Sequence, residues 1–177
     1  EESYGYLPET FVRDKDAVST SLLICEMAAF YKKNNLTLLE ELEKLYEKHG
    51  FWKHKLLSFS FEGADGLKRM KAIMNNFRNQ CFSDYAGLSV IKTDDYLNSV
   101  RVNRETANKD SLFLPKSDVV LFSLEKDCEI VIRPSGTEPK LKCYLTVKAE
   151  DSYEAIQRLK ALETDLTAKI NLFQGCD

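Results

Sequence analysis

The run Arg133-Pro134-Ser135-Gly136-Thr137-Glu138-Pro139-Lys140 holds a guanidinium, two hydroxyls and a glycine between two prolines, directly after the apolar stretch 129–132. These residue types suit the binding of a phosphate. Arg133 can offer two parallel N–H donors to phosphate oxygens, Ser135 and Thr137 can add hydroxyl donors, and Gly136 lets the main chain approach an anion with no Cβ in the way. Successive backbone N–H groups in such a turn form an anion-binding concavity. Pro134 and Pro139 restrict the loop, so less entropy is lost when a ligand orders it. Composition alone equally suits a strand-to-strand turn in which Ser-Gly-Thr supplies only the geometry. Lys140 and Lys142 extend the basic patch and Glu138 offsets it, a balance better matched to one phosphate than to a polyanion.

The run resembles the phosphate-binding signature in the last domain of the α-D-phosphohexomutases, the phosphoglucomutase and phosphomannomutase group. Glu1-Glu2-Ser3-Tyr4-Gly5 resembles the sugar-recognition loop of the third domain of the same enzymes, and Val12 to Asp16 also resembles their sequences. The motifs occur in the family's order, so the resemblance covers essentially the whole chain. It implies that Arg133, Ser135, Gly136 and Thr137 grip the phosphate that is not reacting, with Lys142 assisting. It also implies that Glu1 and Ser3 hydrogen-bond the sugar hydroxyls. Glu-Glu-Ser-Tyr-Gly is closer to the phosphoglucomutase form of the sugar loop than to the mannose or glucosamine forms. The expected substrate is therefore a glucose phosphate, with phosphomannomutase, phosphoglucosamine mutase and phosphopentomutase as alternatives.

In the resembling enzymes a phosphoserine of the first domain and a Mg2+ ion carry out transfer between C1 and C6, through a hexose 1,6-bisphosphate intermediate. No segment of this chain resembles the phosphorylated serine loop or the Asp-x-Asp-x-Asp magnesium loop. The resemblance thus implies a C-terminal piece that depends on N-terminal domains of the same protein, is silent as a catalyst on its own, and contributes no catalytic residue and no metal ligand. The start at Glu1 rather than Met agrees with that expectation. A reading from another class is a free-standing phosphosugar-binding module without chemistry.

The remaining polar residues suggest other roles. His49 closes a helix and His54 opens a strand, and neither has a nucleophile or metal partner nearby in sequence. Arg13 and Lys15 follow the sugar loop but sit among Glu9, Asp14 and Asp16. Trp52 is expected to pack at a domain boundary. Cys25, Cys81, Cys128, Cys143 and Cys176 show no CxxC spacing and no even count, which fits neither a zinc site nor a disulfide framework. Reduced thiols suggest the cytoplasm, and packing is the expected role of Cys25 in an apolar helix and of Cys128 and Cys143 in strands. A net charge of -3 argues against a nucleic-acid partner, and no apolar run is long enough to span a bilayer.

Elements that would position the loop follow from periodicity. Residues 17–33 carry Val18, Leu22, Cys25, Ala29 and Phe30 at helical spacing and end on Lys32 and Lys33, where cations favour a helix terminus. Thr37 with Glu40 forms a capping box for a second helix that stops at Gly50. These two helices need a covering sheet that the chain does not supply, as in the helical remnant of an α/β domain. From Lys55 to Glu62 the alternation of Leu57, Phe59 and Phe61 against serines predicts a strand. An amphipathic helix follows over 64–79 with Leu67, Met70, Met74 and Phe77 on its face. Strands are expected at 88–93, 119–124, 128–132 and 141–148, with a hairpin at Glu125-Lys126-Asp127. A long polar loop is expected over 99–116. The last helix, over 152–170, carries Tyr153, Ile156, Leu159 and Leu162 on one side. The fold class is α+β, an antiparallel sheet buried on one face against two helices, in the TBP-like manner that the resemblance implies for the fourth domain. The domains are then 1–50, the end of a sugar-binding third domain, and 51–177, a phosphate-binding fourth domain.

Overall fold

The computed structural model describes residues 6–11, 13–63, 65–80, 82–136 and 138–174. The chain divides after Gly50 into two compact units, residues 1–50 and 51–177.

The first unit consists of helices α1 (Ala17–Lys33) and α2 (Leu38–His49). Asp16 caps α1, its carboxylate accepting from the backbone N–H of Val18 at 2.9 Å and from the Ser19 hydroxyl at 2.7 Å. Those bonds lower the Asp16 pKa, the Ser19 hydroxyl contributing most. The Thr37–Glu40 capping box is present, with Glu40 accepting from the Thr37 backbone at 2.6 Å. Both ends are thus written locally. The apolar residues Val18, Leu22, Phe30, Leu39 and Leu45 are exposed, and among the described residues of this unit only Thr20 is buried. Cys25 is exposed too, contrary to the packing role expected of it. A helical apolar stripe is buried only by a second layer, and among the described residues of this unit none lies in a strand.

The second unit is a sheet with two helices. Its strands are β1 (Phe51–Ser60), β2 (Asp84–Tyr85), β3 (Leu88–Asp95), β4 (Val100–Asn103), β5 (Lys109–Ser111), β6 (Val120–Leu124), β7 (Cys128–Pro134) and β8 (Lys140–Ala149), with helices α3 (Gly66–Asn79) and α4 (Ser152–Gln174). The order is β1-β8-β7-β6-β3-β4-β5, with β2 beside β3 and all neighbours antiparallel. Ile130, Ile132, Leu141, Cys143, Leu145 and Val147 alternate along β7 and β8 and meet Met70, Ile73, Met74 and Phe77 of α3 and Leu162, Leu166 and Ile170 of α4 in one core. Aromatic rings thicken that core, Phe77 standing edge-on to Phe173 at 5.1 Å between centroids.

Three local expectations change. Residues 99–116 do not form one loop, because β4 and β5 make a short antiparallel arm at the sheet edge. The polar run Lys109-Asp110-Ser111 is legible as a strand only through its pairing with β4. In α4 the buried stripe is Ala155, Leu162, Leu166, Ile170 and Phe173, whereas Tyr153 and Ile156 face outward. Spacings of 3, 4 and 7 residues keep the buried set on one face. Finally, β1 begins at Phe51 rather than Lys55, because all ten of its residues pair with β8, from Phe51 opposite Ala149 to Ser60 opposite Lys140.

Candidate functional site: a basic loop at the end of β7 and β8

The loop joining β7 to β8 is closed by a bond from the Ser135 N–H to the Lys140 carbonyl at 2.7 Å, and inside it Lys140 N–H donates to the Glu138 carbonyl at 2.7 Å. Closure sets the strand register behind it. Arg133 stands directly opposite Lys142, and Lys142 directly opposite Ser58 of β1. In a strand successive side chains alternate between faces. Ile132 and Cys143 point into the helix-covered core, so Arg133 and Lys142 share the face away from the helices. Like charges facing each other across a ladder repel. Among the described residues no carboxylate ion-pairs with Arg133. An anion between the two side chains would be attracted by both.

Glu138 pairs with Lys140 at 2.8 Å. The hydrogen bond from Lys140 is the largest cause of its lowered pKa, and the charges of Lys140 and Lys142 add to it. Glu138 is therefore ionised at neutral pH and sets a limit to the positive potential of the loop.

Gly136 has a Cβ position with no protein atom within 4 Å, and its backbone lies outside the left-handed region. Neither packing nor backbone strain calls for glycine there. The space its side chain would occupy is open, as approach of an anion to the main chain requires.

A second glycine anchors the loop from outside and was not singled out by its sequence. A Cβ on Gly66, the first residue of α3, would lie 2.1 Å from the Phe61 carbonyl oxygen and 3.3 Å from Pro139 Cβ. The Phe61 N–H donates to the Pro139 carbonyl at 2.9 Å. The end of β1, the start of α3 and the far end of the loop thus meet in one tight contact. Its only sequence signal is the Gly-x-x-Gly spacing of Gly63 and Gly66 between a strand and a helix.

Of the residues singled out in the sequence, Arg133, Ser135, Gly136 and Lys142 come together around this loop. Thr137, Glu1 and Ser3 lie outside the described residues, as does Val12. His54 lies exposed on β1 with Nδ1 3.1 Å from the Thr146 hydroxyl, and His49 lies in the last turn of α2. Trp52 is covered by the Lys148 ammonium, 5.4 Å from the ring centroid. Lys15 N–H donates to the Asp14 carboxylate at 2.8 Å. Cys128 and Cys143 are buried free thiols, and burial pushes the Cys143 thiol up to about 12. It is a neutral packing group at physiological pH.

Among the described residues no three His, Cys, Asp or Glu side chains are placed to hold a metal ion, and no helix is long and apolar enough to cross a membrane. These residues do not fit a magnesium site. What the loop brings together is two cations, a hydroxyl and a turn of the main chain, groups whose chemistry suits an anion.

Residues 97–166, which contain the loop, match the family described as "Phosphoglucomutase/phosphomannomutase, C-terminal domain". The chain is 38% identical over 162 residues to a phosphoglucomutase of Staphylococcus saprophyticus, covering 91% of this chain and 29% of that protein. It is likewise 38% identical over 162 residues to a phosphoglucomutase of Staphylococcus aureus strain MRSA252, covering 92% and 29%. The chain therefore spans less than a third of the length of these curated relatives. Among solved structures it is similar to the open form of the Paramecium phosphoprotein pp63/parafusin, a phosphoglucomutase. The TM-score is 0.54 at 16% identity, over 92% of this chain and 28% of that one, a likeness of fold.

Proposed function

We propose, for a chain that belongs to the phosphoglucomutase/phosphomannomutase family and carries its C-terminal domain, that the loop 133–140 clamps the nonreacting phosphate of a hexose phosphate. The larger protein would interconvert hexose 1-phosphate and hexose 6-phosphate, with glucose as the sugar. The observation that carries the reading is Arg133 set directly across from Lys142 at the mouth of the loop.

The proposed division of labour follows from side-chain chemistry. Arg133 supplies the planar fork that matches two phosphate oxygens and so fixes the orientation of the group. Lys142 supplies a compact charge, which neutralises without demanding a particular angle. Ser135 and Thr137 add hydroxyl donors, and the main chain at Gly136 closes on the remaining oxygen. Each charge-assisted contact is worth on the order of 1.5–3 kcal/mol. That energy, gained at a phosphate remote from the reaction, can be used to position the other end of the sugar.

Both ends of a hexose 1,6-bisphosphate carry a phosphate, so a clamp built for the phosphate alone can hold either end. Glu1 and Ser3 are proposed to read the hydroxyls between them. Magnesium, which the family implies, would be held by residues outside those described and would offset charge at the transferring phosphate. The nucleophilic phosphoserine would likewise belong to other domains of the protein. This chain alone is then a binder and not a catalyst, and the cytoplasm is the compartment we assign to it.

The test is an amide NMR titration of this chain with glucose 1-phosphate and with inorganic phosphate. Saturable shifts at Gly136 and neighbouring amides, with a Kd of order millimolar or about -4 kcal/mol, are the expected outcome. A folded chain whose loop amides stay still at saturating phosphate, together with unchanged kinetics of the Arg133→Ala full-length protein, would sink the reading.

A further inference from the structure

A second cationic site lies on the opposite face of the same sheet. Register places Thr93 and Asp95 of β3 opposite Val102 and Val100 of β4, Val102 opposite Lys109 of β5, and Asp95 opposite Val120 of β6. Thr93 also pairs with Phe122, whose side chain is in the core, so these residues share the helix side of the sheet. There, where the sheet runs on toward β4 and β5, a cavity of about 310 Å3 is floored by Val100, Val102 and Val120 and walled by Arg78, Arg104, Lys109 and Asp95. This volume is at the small end of the range for ligand sites, on the order of 300–1,000 Å3.

The charges in the wall are not balanced. Arg78, at 7% side-chain exposure, is held by Asp95 at 3.3 Å and by Asp118. Asp95 also accepts the backbone N–H groups of Leu97 and Asn98 at Oδ1 and the Asn98 amide at Oδ2. Arg104, which lines the cavity, donates Nε to the buried Thr93 hydroxyl at 3.3 Å, a contact that props the guanidinium. Three cations against the carboxylates of Asp95 and Asp118 leave the site with net positive charge, and among the described residues neither Arg104 nor Lys109 is held in an ion pair above the valine floor.

We propose that this cavity binds a small organic anion whose acid group, a carboxylate or a phosphate ester, sits on Arg104 and Lys109 and whose apolar body rests on the half-buried Val100 and Val102, with Val120 beneath them. The fork of Arg104 is pre-oriented by Thr93, so little side-chain entropy remains to be lost when an anion docks. Inorganic phosphate alone lacks the apolar part and is expected to bind here more weakly than an aromatic or branched acid. This site stands apart from the loop at Arg133, which lies on the other face of the sheet, and its proposal does not rest on the function assigned to that loop.

Benzoate and its uncharged isostere benzamide form the probe pair, titrated into this chain while the valine methyl and arginine Nε signals are followed by NMR. Benzoate is expected to give saturable ring-current shifts at Val100, Val102 and Val120 and a shift at Arg104 Nε, and benzamide to bind at least about tenfold more weakly. Arg104→Gln should weaken benzoate by about tenfold and Lys109→Gln, a mild change on an exposed edge strand, by a few fold. Equal binding of benzoate and benzamide would overturn the proposal, as would valine methyls unmoved by benzoate. So would shifts confined to the loop 133–140. Benzoate binding that survives both Arg104→Gln and Lys109→Gln in folded protein would also overturn it.

Discussion

Two arginines of the sheet stand on its helix-free face with a register partner directly opposite, and the partners differ in sign. Arg101 of β4 faces Asp94 of β3 and holds both of its oxygens, Nε to Oδ1 and Nη2 to Oδ2, each at 2.7 Å. Arg133 of β7 faces Lys142 of β8. The first pair is complete within the fold. Asp94 is 1% exposed, and its hydrogen bond raises the pKa of Arg101 further above its ordinary value. The second sets two cations side by side, both reaching solvent next to the turn that joins β7 to β8. The same register geometry thus sets one arginine against a carboxylate and the other against a cation.

The largest way to break this contrast is Arg133→Ala in the full-length protein. kcat/KM for glucose 1-phosphate should fall by about 100-fold, equivalent to about 2.7 kcal/mol, within the range for charge-assisted contacts. The melting temperature should stay within a degree or two of wild type. A stability loss comparable to the kinetic one would place Arg133 with Arg101 as a structural residue.

Asp94→Asn probes the other side of the comparison. It leaves Arg101 without its partner and a buried amide in place of a carboxylate, so stability should drop by about 2 kcal/mol, less than for a fully buried pair because Arg101 is 39% exposed. Urea denaturation measures this. Affinity for phosphosugar should be unchanged.

Lys142→Glu turns the Arg133–Lys142 pair into a copy of the Arg101–Asp94 one. Opposite charges across the ladder should stabilise the chain by about 0.5 kcal/mol, while phosphate binding is lost. A variant that gains stability and loses its ligand would mark the native repulsion as a functional feature. One that loses both would show Lys142 to be a packing residue.

The smallest effect concerns pH. Glu138 has a folded pKa below the ordinary 4.5, so the stability it contributes with Lys140 is present above the unfolded value and is lost as pH falls through the folded one. Its side-chain carboxyl carbon should titrate below 4.5 in NMR. Lys140→Met should return the midpoint toward that value.

Legibility followed the range of the forces involved. The capping box of Thr37 and Glu40, the hairpin at 125–127 and the alternation along β7 and β8 depend on residues a few positions apart, and they could be read directly. The β4–β5 arm was hidden because Lys109-Asp110-Ser111 has no apolar alternation and is a strand only by pairing. In α4 the surplus of apolar residues left more than one stripe available, and only contact with β1 and β8 selected Ala155, Leu162, Leu166 and Ile170.

The candidate site divides in the same way. By itself the sequence determined which groups the loop 133–140 carries, because the chemistry of Arg133, Ser135 and Gly136 belongs to the residues, and it determined the α+β order of elements, because periodicity is local. Only the tertiary structure decided that Lys142 stands opposite Arg133, that Asp94 satisfies Arg101, and that Gly66 must lack a side chain for Phe61 and Pro139 to meet. Register and close approach join residues distant in the chain, and a shift of one residue would send each of these side chains to the other face of the sheet.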